Sequence, residues 1–167
     1  MMSRVREIQI QFPRHGTVEW IGLRPARGEA VRVTETVALT PEAGLIGDRF
    51  DGPTGADRQV TLIQKEHLSV IAQLLGKPSI DPALTRRNLV VSGINLTALK
   101  GKRFQVGGVI LEGTGACAPC SKMEVALGPG GFNAMRGHGG ITARVVSGGE
   151  VRVGEQIKFL ALAEQDK

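Results

Sequence analysis

Phe104-Gln105-Val106-Gly107-Gly108-Val109-Ile110-Leu111 is the stretch that decides the fold class. It reads as two short strands, Phe104 to Val106 and Val109 to Leu111, separated by a glycine turn. The same pattern recurs outward in both directions. Val18 and Trp20 mark an earlier strand. Val31, Val33, Val37 and Leu39 alternate with Arg32, Thr34, Thr36 and Ala38, and Glu35 interrupts the apolar side once. Arg58 to Ile63 reads as another strand with Val60 and Leu62 on one face. Leu89 to Ser92, Ile141 to Ser147, Val151, and Gln156 to Leu162 complete the set. Short strands divided by glycine-rich turns imply a mainly β chain, either a sandwich or a barrel.

One helix stands out among the strands. In Lys65 to Leu75, Leu68, Ile71, Ala72 and Leu75 recur at i, i+3, i+4 and i+7, one apolar stripe. Gly76 suits the position just after its end, and Pro78 prevents continuation. Ser121 to Leu127 reads as a second, shorter helix. Residues 41–57 carry turn residues and little periodicity, as a long functional loop would. No repeat or linker divides the chain, and 167 residues correspond to one domain over 1–167.

Composition narrows the function. The chain has no Tyr, five Phe and one Trp, so a multi-base stacking platform is not expected and nucleic acid is disfavoured as a partner. Two cysteines are too few for a disulfide scaffold or a four-thiolate zinc site. Charges interrupt Met1-Met2-Ser3-Arg4-Val5-Arg6-Glu7 too early for a signal-peptide core, and no apolar run approaches the roughly 18 residues of a membrane helix. These features imply a cytoplasmic protein with reduced thiols and no membrane partner.

The most informative segment is Thr114-Gly115-Ala116-Cys117-Ala118-Pro119-Cys120-Ser121-Lys122-Met123-Glu124. It follows a predicted strand and opens a predicted helix, where free N–H groups and the nearby Lys122 favour a thiolate. The Cys-x-Pro-Cys spacing admits thiol–disulfide exchange, half of a zinc site, or a sulfur carrier or soft-metal ligand. The alternative is that both cysteines are small buried apolar residues.

Fourteen of the 23 glycines lie between Gly101 and Gly154, six of them from Gly128 to Gly140. Such a segment either brings backbone amides close to an anion or simply turns the chain. Inside it, His138 near Arg136 is the best functional candidate among the histidines. His67, on the apolar helix, reads as a core-edge residue, and His15 as uninvolved. The net charge of +5 is concentrated. Arg86, Arg87, Lys100, Lys102, Arg103 and Lys122 face only Glu112 between residues 86 and 122. Lys100, Lys102 and Arg103 resemble a solvated turn, whereas Arg87 with Asn88 has the donors for an anion.

Taken in order, Gly44-Leu45-Ile46-Gly47-Asp48-Arg49, Asp57-Arg58-Gln59-Val60-Thr61-Leu62-Ile63, Arg86-Arg87-Asn88-Leu89-Val90-Val91-Ser92-Gly93-Ile94-Asn95, the Cys-x-Pro-Cys segment and Val151-Arg152-Val153-Gly154-Glu155 resemble the MOSC domain, the family named after the C-terminal domain of molybdenum cofactor sulfurases. The set spans residues 44 to about 158. The resemblance implies a β-barrel-like fold with a few short helices. It also implies molybdenum-cofactor (molybdopterin) binding or sulfur handling through a cysteine. The family's pyridoxal-phosphate desulfurase module has no counterpart here, so pyridoxal phosphate is not expected and a sulfur donor or electron-transfer protein is. Two departures matter. Phe50 stands where relatives often carry His after Gly-Asp-Arg. Met135-Arg136-Gly137-His138 has no cysteine where amidoxime-reducing relatives carry their molybdenum ligand.

The resulting expectation assigns Cys120, with Cys117 beside it, to hold sulfur as a persulfide, and Cys120 to ligate molybdenum. Arg49, Arg58, Arg87 and Asn88 bind the pterin phosphate or another anionic group, and Arg136 and His138 line the pocket. Two alternatives belong to other classes. One is a molybdenum-dependent reductase of N-hydroxylated compounds. The other is a non-enzymatic anion-binding module with structural cysteines.

Overall fold

A computed structural model describes residues 1–164. Its strands are β1 (Gly16–Leu23), β2 (Arg32–Thr34), β3 (Thr36–Thr40), β4 (Gly44–Leu45), β5 (Val60–Gln64), β6 (Leu89–Ser92), β7 (Lys102–Val106), β8 (Val109–Ala116), β9 (Ile141–Ser147), β10 (Gly149–Arg152) and β11 (Gln156–Leu162). The helices are α1 (Arg4–Gln9), α2 (Lys65–Leu74), α3 (Ser121–Leu127) and α4 (Gly131–Met135), with 3₁₀ turns at Pro82–Thr85 and Leu96–Leu99.

Seven strands pair in the order β11-β7-β8-β9-β5-β6-β1, and β1 returns to β11, so the sheet closes into a barrel. Closure leaves those strands without an open edge. The seam forms where Gly16 pairs with Ile157. A Cβ on Gly16 would lie 2.5 Å from the Ser92 carbonyl oxygen and 2.7 Å from the Ile157 side chain, so only glycine lets β1 enter there. The Gly107-Gly108 pair turns β7 into β8 and sets Phe104 opposite Leu111 and Val106 opposite Val109. All four side chains are fully buried. The pairing of β1 with β11 decides for the barrel over the sandwich.

Two cores explain which strands alternate and which do not. Inside the barrel, Val18, Ile21, Leu62, Leu89, Phe104 and Leu111 pack together with Ile141 and Ile157. The small sheet β10-β3-β4 contributes Val37, Leu39, Leu45 and Val151 to that core. Outside it, Ile63 and Val90 meet Leu68 and Ile71 of α2, Met123 and Leu127 of α3, and Ala134 and Met135 of α4. β5 and β6 are the one parallel pair of the barrel, joined through α2. They are covered on both faces, which is why Val60 to Ile63 are all buried rather than alternating.

Three sequence readings need correction. The predicted strand from Val31 to Leu39 is two strands. β2 adds to β1 and β3 pairs with β10, and Val33 is 56% exposed while Val37 and Leu39 are buried. The break falls at Glu35, whose carbonyl accepts from the Val153 amide. The N-terminal segment, to which the sequence reading assigns no element, begins with α1, which is capped by the Ser3 hydroxyl at 3.3 Å from the Arg6 amide. None of its residues is buried, so it carries no apolar stripe to read. The glycine segment is partly helical, because α4 starts at Gly131. A Cβ at Gly131 would lie 2.8 Å from the Met123 carbonyl oxygen, so the glycine there serves packing of α4 on α3.

No described helix is long and apolar enough to cross a membrane.

Candidate functional site

Cys117 follows the last residue of β8, and Cys120 occupies the position that opens α3. They differ sharply in access. Cys117 is 1% exposed, whereas Cys120 is exposed, and both thiols are free. The Cys117 amide donates to the Gly140 carbonyl at 2.9 Å, which joins the cysteine loop to the start of β9.

This junction depends on two glycines. A Cβ at Gly139 would run into the Cys117 carbonyl oxygen and lie 3.2 Å from Nη2 of Arg87. Gly140 has φ of +87°, and a Cβ there would collide with the Leu62 carbonyl. The end of the glycine-rich segment therefore acts through close backbone approach to the cysteine loop.

Arg87 locks the junction from inside. Its Nε donates to the Gly139 carbonyl at 2.9 Å, Nη1 to Thr85 at 3.0 Å, and Nη2 to Cys117 at 3.0 Å and Ala118 at 3.4 Å. Burial lowers its pKa, and the nearby Cys117 acts in the opposite direction. Asn88 is equally committed. Its Oδ1 accepts from the Thr61 amide and hydroxyl at 3.1 Å each, and its Nδ2 donates to the Gly22 carbonyl and to Asp48. The donors of Arg87 and the amide of Asn88, expected to bind an anion, are engaged by these protein partners.

Asn88 connects the barrel to the Gly47-Asp48-Arg49 loop. The Asp48 side chain is fully buried and accepts from Arg24 through its amide at 2.8 Å, Nε at 3.2 Å and Nη2 at 2.9 Å. Burial alone would raise the Asp48 carboxyl. The Arg24 hydrogen bonds and charge outweigh it and hold the group below the ordinary carboxylate value. A depressed folded pKa means this stabilisation is complete above the unfolded value near about pH 4 and is lost as pH falls through the folded one. Asp48→Asn is therefore expected to flatten the acid limb of the stability profile below about pH 4. Unfolding midpoints measured from near neutrality into acid check this, and an unchanged slope refutes it.

The loop places Arg49 beside a cleft of about 430 Å³ lined by Arg27, Gly28, Arg49, Arg86 and Lys122. Four cations line it, and no carboxylate is among its described lining residues. Arg86 sits there with φ of +55°, the one described non-glycine residue in the left-handed region, anchored by a 2.7 Å bond from Nη1 to the Glu29 carbonyl. Burial and then the charges of Arg24 and Arg49 lower its pKa, the mark of crowded cations.

A second cleft, about 320 Å³, is lined by Cys117, Pro119, Arg136, Gly137 and Lys100 among others. Arg58, exposed on the approach to β5, directs Nη2 at the Cys117 sulfur at 3.7 Å. Arg136 and Cys117 thus line one cleft, Arg49 lines the other, and Arg58 touches the Cys117 sulfur. His138 lines neither cleft. Its Nδ1 lies 3.2 Å from the Ala134 carbonyl oxygen and its ring 5.3 Å from that of His67, edge to face. Burial, followed by the His138 charge, lowers the His67 pKa.

Sequence reasoning missed Arg27 and placed Lys100 in a solvated turn. Neither has a motif around it; only the folded proximity reveals them. Among the described residues, no three His, Cys, Asp or Glu side chains gather as a metal site, so the half-zinc reading of the cysteine pair gains no further ligands.

The family model described as MOSC domain matches residues 45–158. Solved structures share the fold. YuaD from Bacillus subtilis superposes with a TM-score of 0.75 at 20% identity, covering 90% of this chain and 99% of that one. YiiM from Geobacillus stearothermophilus gives 0.71 at 15% identity, with 87% and 75% covered. YiiM from Escherichia coli gives 0.67 at 21% identity, with 92% and 73% covered. Comparison with curated proteins gives no match.

Proposed function

Because the chain belongs to the MOSC domain family, which is linked to molybdenum cofactor and sulfur transfer, we propose that it binds molybdenum cofactor or a related anionic, sulfur-bearing ligand and holds sulfur or metal on Cys120. The observation that carries this reading is the cleft of Arg27, Arg49, Arg86 and Lys122. Arg24 and Arg49 crowd Arg86 with like charge, no carboxylate is among the described lining residues, and a phosphate-bearing ligand takes charge-assisted hydrogen bonds from such a set. Lys122, which lines this cleft, lies two residues beyond Cys120 in the chain.

The residues fit the cofactor's chemistry. A phosphate matches the four cations, and one accessible thiolate is the donor a soft metal or sulfane sulfur takes. When bound, the cofactor supplies metal–sulfur chemistry at the cysteine. Arg49, Arg86, Arg27 and Lys122 hold its anionic end. Arg58 and Arg136 neutralise charge around Cys117. Arg87 and Asn88 keep the cysteine loop and the Arg49 loop in register. His138 contributes by tying the Arg136 segment to α2.

One test decides the reading. The chain is purified anaerobically after co-expression with cofactor biosynthesis, and molybdenum, pterin fluorescence and cyanide-releasable sulfur are measured. Wild type is expected to carry metal or labile sulfur, and Cys120→Ala to lose most of it. Removal of Arg49 or Arg86 is expected to weaken binding of a phosphorylated pterin about tenfold each, the size of a lost charged hydrogen bond. Wild type devoid of all three signals overturns the reading. The burial of Cys117 favours a second reading, a binding module with structural cysteines. It predicts unchanged ligand binding and sulfur content when Cys117 and Cys120 are both replaced by Ala.

A further inference from the structure

The two thiols are three residues apart, yet they have opposite access. Cys120 is exposed, and Cys117 is 1% exposed. An exposed sulfur can receive a sulfur atom from another protein. A buried one three residues away is shielded from that donor but remains local to the product. Cys117 is also not an inert apolar filler. The Arg58 Nη2 donates to its sulfur at 3.7 Å, and it lines a cleft with Lys100 and Arg136. Arg58 gives this sulfur a charged hydrogen-bond partner, and Lys100 and Arg136 add two more cations to the cleft it borders, more charge than packing a small apolar residue requires.

We propose that Cys117 is a resolving thiol: it attacks the inner sulfur of a Cys120 persulfide, forms a Cys117–Cys120 disulfide and expels hydrosulfide. This rests on the carrier reading of Cys120. The step balances. The Cys117 sulfur–Cys120 sulfur bond forms as the bond from Cys120 to its outer sulfur breaks. The outer sulfur leaves with the electron pair and takes a proton as hydrogen sulfide, while the Cys117 thiol has given up its own. The sulfane sulfur is reduced and the two cysteine sulfurs are oxidised. A dithiol reductant then restores both thiols. The site therefore releases sulfide to a bound acceptor rather than passing a persulfide onward.

The test uses the full chain and inorganic polysulfide as the sulfur source. The reduced protein is loaded anaerobically, desalted without reductant, and followed by sulfide assay and intact mass. Wild type is expected to release one sulfide per loaded sulfur and to end lighter than the reduced chain by two hydrogens, the mass of an internal disulfide. Cys117→Ala and Cys117→Ser are expected to keep the added sulfur on Cys120 and to release it at least tenfold more slowly. Arg58→Ala is expected to slow release about tenfold, with partial recovery in Arg58→Lys, as for the loss of one charged hydrogen bond. Loading on Cys120 with equal release from both Cys117 variants overturns the resolving role and leaves the carrier role standing. Release by wild type without an internal disulfide does the same and does not depend on how a variant folds. A Cys120→Ala chain that loads and releases like wild type, or a wild type that does not load, overturns both.

Discussion

Gly140→Ala is expected to destabilise the protein by about 3–5 kcal/mol and to lower the unfolding midpoint by about 10 °C. Two costs combine. The residue holds φ of +87°, and a side chain there meets left-handed strain of about 1–2 kcal/mol. The added Cβ would also collide with the Leu62 carbonyl oxygen and lie 2.8 Å from its carbon, all backbone of the buried β5. Backbone in a closed barrel cannot swing aside as a flexible side chain can. The strain would be relieved by pushing residues 139–140 outward, and that breaks the bond from the Cys117 amide to Gly140. Gly137→Ala is the control. Its φ is +81°, but a Cβ there would meet nothing within 4 Å, so it is expected to cost about 1 kcal/mol from the conformational term alone. Denaturant unfolding of both variants measures the difference. Equal destabilisation by the two substitutions would mean that the close approach at Leu62 carries no energy.

The barrel was legible in the sequence because its inner face imposes a period of two. Phe104, Val106, Val109 and Leu111 show that period around a glycine turn, and they are buried as it requires. Lys65 to Leu75 was legible for the same reason at a different period, since α2 has one face on β5 and β6. Where burial leaves no one-sided pattern, the reading failed. α1 buries nothing, and α4 hides in a glycine-rich run because its packing on α3 needs a missing side chain at Gly131. Charge was the least legible feature. The basic segment from Arg86 to Lys122 separates in the fold into unlike roles. Arg87 is caged by carbonyls, Lys102 donates to Ala98, and Arg103 pairs with Glu112, while Arg86 and Lys122 join Arg27 and Arg49 from distant segments. A residue's formal charge does not say whether its donors are already taken. For that reason the cysteine loop could be found from its motif, and the cleft of Arg27, Arg49, Arg86 and Lys122 could not.

Arg87 turns that distinction into an expected result. Arg87→Ala is expected to cost about 3–5 kcal/mol, because it strips donors from the carbonyls of Thr85, Cys117, Ala118 and Gly139 in a place water reaches poorly. An anion-binding arginine would behave differently, since its removal from a cluster of cations would relieve repulsion and leave stability unchanged or higher. Arg87→Lys is expected to recover little. One ammonium cannot donate in the three directions that Nε, Nη1 and Nη2 serve at once. The loss should also be local as well as global. With Gly139 and Cys117 no longer clamped together, the loop opens more often. Labelling of Cys117 by a thiol reagent under native conditions, read in a Cys120→Ser background, is then expected to accelerate about 100-fold, the equivalent of roughly 3 kcal/mol of lost local protection. Arg49→Ala supplies the contrast, because Arg49 faces the open cleft. It is expected to weaken anion binding while leaving both stability and Cys117 labelling near wild type. If Arg87→Ala instead keeps its stability and its slow labelling while losing the anion, Arg87 is a ligand residue after all, and the carbonyl cage is incidental.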